Sequence, residues 1–487
     1  MRIWGISDSS HDASLAVVED GKVLLAAHSE RYAKEKQTYR IHADLFAEAG
    51  VYGPPDVVTY FERRALKRLR RALYGGKNGT YRDLYRRRLG EIPEIQVGHH
   101  RSHAAAGYFT SPFDRAAVVV LDAIGEFDTG TIWIGEGRDL RSVDRIRYPL
   151  SLGLFYSAFT DLLGYQAGQD EYIVMGMAAY GDPKRYYRRV RNLYPSWRYQ
   201  PQDFHRALER SDWDLPDDQA RFDLAATVQR IYEERLREIM RYARRLTGLR
   251  DLVFMGGCAL NCSANRILWD IWDDVWIMPN PGDAGSSLGS ILAITKGRIG
   301  YPSPYLGHDL GEPYPVEEVV LRLRTERIVP VAAGRAEYGP RALGNRSILA
   351  DPRDLSIRDE VNRIKRREPF RPFAPIVREE DANIYFALDR PSPYMSFAVP
   401  VRRPDLIPAV VHADGTARVQ TVRRDQHPGI YQVLCEWDRL TGIPVLLNTS
   451  LNVKGEPILN DLSDIERWER LYKTRIATSR SSGFRSA

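Results

Sequence analysis

The chain opens on two apolar runs separated by a polar cluster. Arg2-Ile3-Trp4-Gly5-Ile6-Ser7 gives way to Asp8-Ser9-Ser10-His11-Asp12, Ala13 to Val18 is apolar again, and Glu19-Asp20-Gly21-Lys22 leads into Val23 to Ala27. An Asp-Gly pair between two apolar runs predicts a tight hairpin. The segment therefore reads strand, polar turn, strand, hairpin, strand. The same order recurs further along. Ala116 to Leu121 is strongly apolar, and Asp122-Ala123-Ile124-Gly125-Glu126-Phe127-Asp128 is the polar break. Thr129 to Ile134 is the next strand, Gly135-Glu136-Gly137-Arg138-Asp139 the turn, and Leu140 to Ile146 the third strand.

A whole supersecondary unit met twice predicts a duplicated domain. This pattern is how the duplicated actin/hexokinase-type (ribonuclease H-like) α/β domain begins, with the polar turns after the first strands meeting in a cleft. The middle of the chain predicts a long helix: Phe222 to Leu246 keeps Ala225, Val228, Ile231, Tyr232, Leu236, Ile239 and Met240 on one stripe between charged faces. Asp251 to Met255 then reads as a buried strand feeding the turn Gly256-Gly257. Four prolines between Pro302 and Pro315 place a linker there, and beyond Val316 the composition turns to arginine. The organisation expected is a first domain over 1–310, a linker over 311–325, a second, α+β domain over 326–470 and a disordered small-polar tail over 471–487.

A length of 487 residues fits two or three domains, and 43% apolar with 10% aromatic residues excludes a disordered chain. Three cysteines, Cys258, Cys262 and Cys435, cannot make a disulfide framework or a structural zinc site. With no apolar signal segment and no bilayer-length run, a cytoplasmic protein without a membrane partner is expected. Net charge is +6, yet between Arg63 and Arg88 eleven basic residues stand against Asp83 alone. That strip reads either as a solvated helical face or as a surface for a polyanion such as nucleic acid, with Tyr74, Tyr81 and Tyr85 interleaved as stacking platforms.

Two constellations carry chemistry. His99-His100-Arg101-Ser102-His103 follows the strand Ile95-Gln96-Val97 and opens an alanine-rich run. On a helix starting there, His99 and His103 lie one turn apart and point the same way, as two metal ligands must. Hard carboxylates such as Asp122 and Asp283 would shift the choice of metal towards iron, manganese or magnesium. The turns around Gly256, Gly257 and Asn261 and around Gly282 suit the approach of a phosphate or ribose. Later in the chain, Arg341 and Arg346 stand beside glycines, and Lys365, Arg366, Arg367 and Arg371 follow within a Pro-interleaved run. Guanidinium forks with a lysine fit a triphosphate and a second anion.

His11-Asp12, Glu30-Arg31, His99-His100-x-x-His103, Asp122-x-x-Gly125-Glu126, Met175-Gly176-Met177-Ala178, Gly256-Gly257-x-x-x-Asn261 and Pro281-Gly282-Asp283-Ala284-Gly285 together resemble the ATP-dependent O-carbamoyltransferases, the enzymes that decorate nodulation factors, aminoglycosides, cephems and ansamycins. The stretches His412 to Gln420 and Pro444 to Asn452 extend the resemblance into a second domain similar to the threonylcarbamoyl-adenylate synthases. The resemblance implies a bound iron (Fe2+, with Mn2+ or Mg2+ as alternatives) on His99, His103, Asp122 and Asp283, and His11 as a general base beside the acceptor hydroxyl. It implies that Arg341, Lys365, Arg371, Arg418, Asn448 and Ser450 hold ATP, with its Mg2+, and carbamoyl phosphate while carbamoyl-adenylate forms. Two acceptors remain open: a small natural product, or a hydroxymethylated pyrimidine in DNA. Rival readings are a tRNA-threonylcarbamoylation-type enzyme and a nucleic-acid-binding ATPase without transferase activity. The chain departs from relatives at Ile173, where a lysine is usual, and in its short run after Pro457.

Overall fold

The computed structural model describes residues 1–8, 12–74, 89–299, 303–311 and 313–479. The chain divides into two compact units, Met1–Ser29 with Gln37–Tyr301, and Glu30–Lys36 with Pro302–Ala487.

The first unit is built on two five-stranded sheets. Strands β1 (Arg2–Ser7), β2 (Ser14–Glu19), β3 (Lys22–His28), β4 (Val57–Tyr60) and β5 (Glu94–Gln96) lie in the order β3-β2-β1-β4-β5. Strands β6 (Arg115–Gly125), β7 (Asp128–Glu136), β8 (Asp139–Arg147), β9 (Asp251–Met255) and β10 (Asp274–Trp276) lie in the matching order β8-β7-β6-β9-β10. In both, the first three strands are antiparallel neighbours, while the first and fourth and the fourth and fifth run parallel. The two halves thus share one topology. The hairpin between β2 and β3 turns through Asp20 (φ 48°) and Gly21 (φ 79°), two positive dihedrals in succession as a type I′ turn requires.

Both sheets bury their first strands, with Ile6 and Leu15 in one and Val118, Val119 and Val120 in the other fully inaccessible. The helix Ser286–Thr295 packs so closely on β1 that a Cβ on Gly5 would lie 1.9 Å from the Ser287 carbonyl oxygen. The long central helix runs Asp218–Thr247, capped where Asp217 accepts the Ala220 amide and ended by Gly248 at φ 65°. Its stripe from Ala225 to Met240 is buried.

The second unit holds a five-stranded sheet in the order Ile328–Ala332, Arg346–Ala350, Val445–Ser450, Ala374–Arg378, Gln420–Val422. Neighbours are antiparallel except the last pair. The helices Val316–Glu326 and Pro428–Thr441 pack Val319, Leu323, Ile430, Val433, Leu434 and Trp437 into one core with Val331, Leu349 and Leu446.

Two expectations need correction here. The presumed linker over 311–325 contains most of the Val316–Glu326 helix, whose apolar face is core, and Tyr305–Asp309 just before it is a strand paired with Arg335–Glu337. The presumed disordered tail is ordered over its described part. The helix Leu462–Tyr472 carries an Asp461/Asp464 capping box, and Ile476 and Ala477 are buried. The Ala477 amide donates to the Pro330 carbonyl at 2.8 Å, and Ala477 accepts from Ala332 at 3.1 Å. Residues 480–487 lie outside the described residues.

Candidate metal centre and anion pocket

The helix His99–Thr110 begins at the first of the clustered histidines, so the side chains of His99 and His103 leave the same face of its first turn. Asp122 comes from the end of β6, and Asp283 from the turn Asp283–Gly285 ahead of the Ser286–Thr295 helix. One atom from each of the four lies within 4.8 Å of the others. The two Nε2 atoms of His99 and His103 face each other at 3.2 Å. Asp122 Oδ2 stands 3.0 Å from His99 Nε2, and Asp283 Oδ1 stands 3.2 Å from His103 Nε2.

Burial works against protonation of both imidazoles, yet the carboxylates of Asp283 and Asp122 hold His99 well above the usual histidine range, and His103 is raised in the same way. Burial and the charge of Asp283 push Asp122 upward, but the hydrogen bonds from His103 and His99 keep it well below the usual carboxylate range. Facing nitrogens and two carboxylates at this spacing demand positive charge between them. The donor set fits a divalent first-row ion. His103 Nδ1 lies 3.1 Å from the Pro281 carbonyl, which fixes the proton on that nitrogen and leaves the Nε2 lone pair for the cluster.

The surroundings prepare this geometry. His99 Nδ1 is 3.8 Å from Glu62 Oε2, and Glu62 is in turn bound by the ammonium of Lys67, all three buried. Burial opposes the charge on Glu62, but His99 and Lys67 hold its carboxyl below the ordinary range. Sequence reasoning missed Glu62 and read Lys67 as part of a basic strip. His100, the third imidazole, turns away to Thr131 Oγ1 at 3.1 Å, and burial pushes it down to about 3.

The basic strip changes character as well. Arg63 grips Glu126 (3.0 Å), Arg64 pairs with Glu94 (2.7 Å), and Lys67 is buried on Glu62. Three of its charges are therefore answered by carboxylates inside the first unit. Residues 75–88, with Tyr81, Tyr85 and the distal arginines, lie outside the described residues, as does His11.

Of the expected nucleotide-binding turn residues, Gly256 sits at φ 90°, and a Cβ there would meet the Leu121 carbonyl oxygen at 2.1 Å. The Gly257 amide donates to Asp122 Oδ1 at 3.2 Å, which ties this turn to the candidate metal cluster. Asn261 is engaged locally: its Oδ1 accepts the Ala264 amide and its Nδ2 donates to Gln229 Oε1 at 3.0 Å. A Cβ on Gly282 would meet Leu260 Cδ1 at 4.0 Å, and the residue precedes Asp283 directly. Ile173 is buried in the helix Glu171–Met177.

In the second unit, Lys365 follows the helix Ser356–Ile364 and is only 4% exposed. Its ammonium donates to the Ser450 carbonyl, to Ser450 Oγ (3.2 Å), and to the Asn452 carbonyl and Oδ1 (2.9 Å each). Burial, and then the charges of Arg367 and Arg371, lower its pKa well below the usual lysine value. Arg371 lies 3.7 Å from Glu368. Asn448 donates to the Ala342 carbonyl (3.2 Å) and to Gln420 Oε1 (2.7 Å), leaving its own buried Oδ1 without a hydrogen bond, as is Arg418 Nε. Arg341 is partly buried on the loop ahead of the Arg346–Ala350 strand.

Arg346 is a correction. It is 1% exposed, and its guanidinium donates to the carbonyls of Ala333 (2.7 Å), Asn345 (3.0 Å), Asn460 (3.0 Å), His308 and Gly334 (3.2 Å each). Burial pushes it down to about 10. A fork saturated by five carbonyls holds backbone together and has no donor left for a phosphate.

Fold and centre define a class: a two-unit α/β protein with a two-histidine, two-carboxylate cluster in one unit and a buried lysine beside two arginines in the other. Residues 80–292 match the family model described as the carbamoyltransferase N-terminus, and residues 320–476 match the carbamoyltransferase C-terminus. The chain is 32% identical to the uncharacterized protein sll1178 of Synechocystis over 96% of its own length and 93% of that protein. It is 33% identical to nodulation protein NolNO of Sinorhizobium fredii (93% and 76% covered), and 29% identical to the 3'-hydroxymethylcephem-O-carbamoyltransferase of Streptomyces clavuligerus (94% and 94% covered). The chain belongs to the carbamoyltransferase family. Among the described residues, no helix is long and apolar enough to cross a membrane.

Proposed function

We propose that this chain is an ATP-dependent O-carbamoyltransferase that converts ATP and carbamoyl phosphate to carbamoyl-adenylate and pyrophosphate, then passes the carbamoyl group to an acceptor hydroxyl. The observation that carries the first step is the cation cluster around Lys365: its ammonium is buried, crowded by Arg367 and Arg371 and held below its usual pKa. With its own donors spent on Ser450 and Asn452, it acts on phosphate through charge while Arg371 supplies the direct contact. Such a group is stabilised when phosphate anions arrive, because they relieve the repulsion among the cations. Arg341, Arg371, Arg418, Asn448 and Ser450 line the reading as contacts for the two substrates, and the unpartnered Asn448 Oδ1 and Arg418 Nε supply an acceptor and a donor for them.

The duplicated topology of the first unit supports the actin/hexokinase-like reading, with the turns at Gly256, Gly257 and Gly282 receiving the adenylate. His99, His103, Asp122 and Asp283 would hold the ion, read as Fe2+ with Mn2+ or Mg2+ as alternatives. Bound there, a divalent cation supplies Lewis acidity towards a carbonyl oxygen. His11 remains the proposed general base for the acceptor hydroxyl. For the acceptor we favour a small hydroxyl-bearing molecule, as the cephem-modifying relative's name suggests; the DNA reading rested on strip charges of which Arg63, Arg64 and Lys67 are already paired.

The test is pyrophosphate release from ATP. It should require carbamoyl phosphate, and Lys365→Ala or Arg371→Ala should slow it roughly 30- to 1000-fold, the loss of about 2–4 kcal/mol of charge-assisted contact. Near-wild-type release by either variant would remove the assignment of this pocket.

A further inference from the structure

We propose that Arg31 is a positioning residue for loop 338–346 of the second unit, acting through the buried carboxylate of Glu337. The proposal rests on the reading of the second unit as the adenylate-forming site, because that loop carries Arg341.

Residues 30–36 belong to the second unit although Ser29 before them and Gln37 after them belong to the first. Arg31 is 3% exposed, and Glu337 is 2% exposed. One Arg31 terminal nitrogen donates to the Gly339 carbonyl at 2.8 Å, and the other lies 3.9 Å from Glu337 Oε2. The second Glu337 oxygen, Oε1, accepts three backbone amides, from Leu343 (2.8 Å), Asn345 (2.9 Å) and Arg346 (3.2 Å). A turn whose amides converge on one anion is an anion nest, and here the anion is the protein's own.

The loop's carbonyls are fixed from outside. Ala342 accepts from Asn448 Nδ2 (3.2 Å), Leu343 from the Tyr305 hydroxyl and Gln420 Nε2 (2.9 Å each), and Gly344 from the Tyr314 hydroxyl (3.2 Å). The carboxylate at the loop's centre needs a compensating charge, since an uncompensated buried ion is strongly unfavourable. Arg346 also feels that charge, but its donors are committed to carbonyls. Arg31 faces the carboxylate with one terminal nitrogen left over from the backbone bond that its other terminal nitrogen makes to the loop at Gly339. Its segment is fastened by Lys34, which pairs with Asp461 at 2.9 Å and Asp464 at 2.5 Å.

The full-length chain decides this with two readouts: hydrogen exchange of the peptide spanning 338–346, and carbamoyl-phosphate-dependent pyrophosphate release. In Arg31→Met, exchange at Leu343, Asn345 and Arg346 should rise at least about 10-fold, and kcat/KM should fall by a similar factor with KM for ATP rising. Arg31→Lys should fall between. The double variant Arg31→Met/Glu337→Gln removes both charges while keeping an oxygen for the three amides, and should recover protection and activity to within about 3-fold of wild type. Wild-type exchange in Arg31→Met, or a double variant no better protected than Arg31→Met, would overturn the proposal. A wild-type chain that releases no pyrophosphate would remove the adenylation reading alone, and the exchange data would still decide the role of Arg31.

Discussion

A Cβ on Gly125 would lie 2.1 Å from His99 Cδ2, so the absence of a side chain there is what lets the imidazole stand against the end of β6 and meet Asp122. At this scale the centre is a matter of which atoms are held still. Glu62, itself paired with Lys67, stands 3.8 Å behind His99 Nδ1, and carboxylates orienting a ligating histidine from this side typically contribute 10- to 100-fold in metal affinity. Glu62→Gln is therefore expected to weaken metal binding by about that factor, measured by metal content after dialysis against graded chelator, with pyrophosphate release unchanged; unaltered retention would leave Glu62 a packing residue. His99 and His103 were readable from residue type and helical spacing, whereas Asp122 and Asp283 joined them as a set only through the family resemblance. Glu62 was not, since one glutamate after a strand has no signature until the fold brings it to a histidine. Arg346 misled for the converse reason: arginine beside glycine looks the same whether its fork meets phosphate or carbonyls.

The helix Pro428–Thr441 shows how an element can carry a pH response. Its cap is His427, whose Nδ1 accepts the Ile430 amide at 3.0 Å while Nε2 meets Asn345 Oδ1 at 2.8 Å. Burial pushes this imidazole down to about 4, and His412 is pushed down to about 4 by the same cause. Histidine in the unfolded chain binds its proton near 6.5, so acid favours the unfolded state. Stability is full above about pH 6.5 and is lost as pH falls towards 4, by on the order of 3 kcal/mol for His427. Thermal unfolding of the second unit should fall steeply between pH 7 and 4.5, and His427→Asn, able to keep the cap, should flatten about half of that fall. An equally steep profile in the variant would show that His427 does not titrate on unfolding. Elements were the most legible level. Alternation and the Asp20-Gly21 turn fixed the first hairpin, and the apolar stripe fixed the central helix. The Val316–Glu326 helix was hidden because flanking prolines report local stiffness, whereas its order comes from core partners such as Trp437.

For the molecule as a whole, the proposed division of two chemistries between two units predicts a separable loss. Chelation, or His99→Ala or His103→Ala, is expected to abolish carbamoyl transfer while carbamoyl-phosphate-dependent pyrophosphate release continues within about 2-fold of wild type, since no residue of the second pocket contributes to the metal centre. Mass spectrometry for the carbamoylated product and a coupled pyrophosphate assay read the two steps separately. Parallel loss of both would show that the ion serves the first step too. The recurring three-strand opening was legible from the repeated apolar pattern, but the full strand orders and the membership of residues 30–36 in the second unit were not, because they depend on long-range pairing.

That membership bears on how such a chain can be taken apart. Cut at residue 302, the gene would yield a C-terminal product with every strand of its sheet and a bare anion at Glu337, because the cation that answers it is encoded near the other end. The seam between the units does not coincide with any single point in the reading frame. If Arg31 has the role proposed, moving the second half onto a foreign partner would require either an arginine brought to the same place or loss of the charge at Glu337, so the two halves are expected to be inherited together.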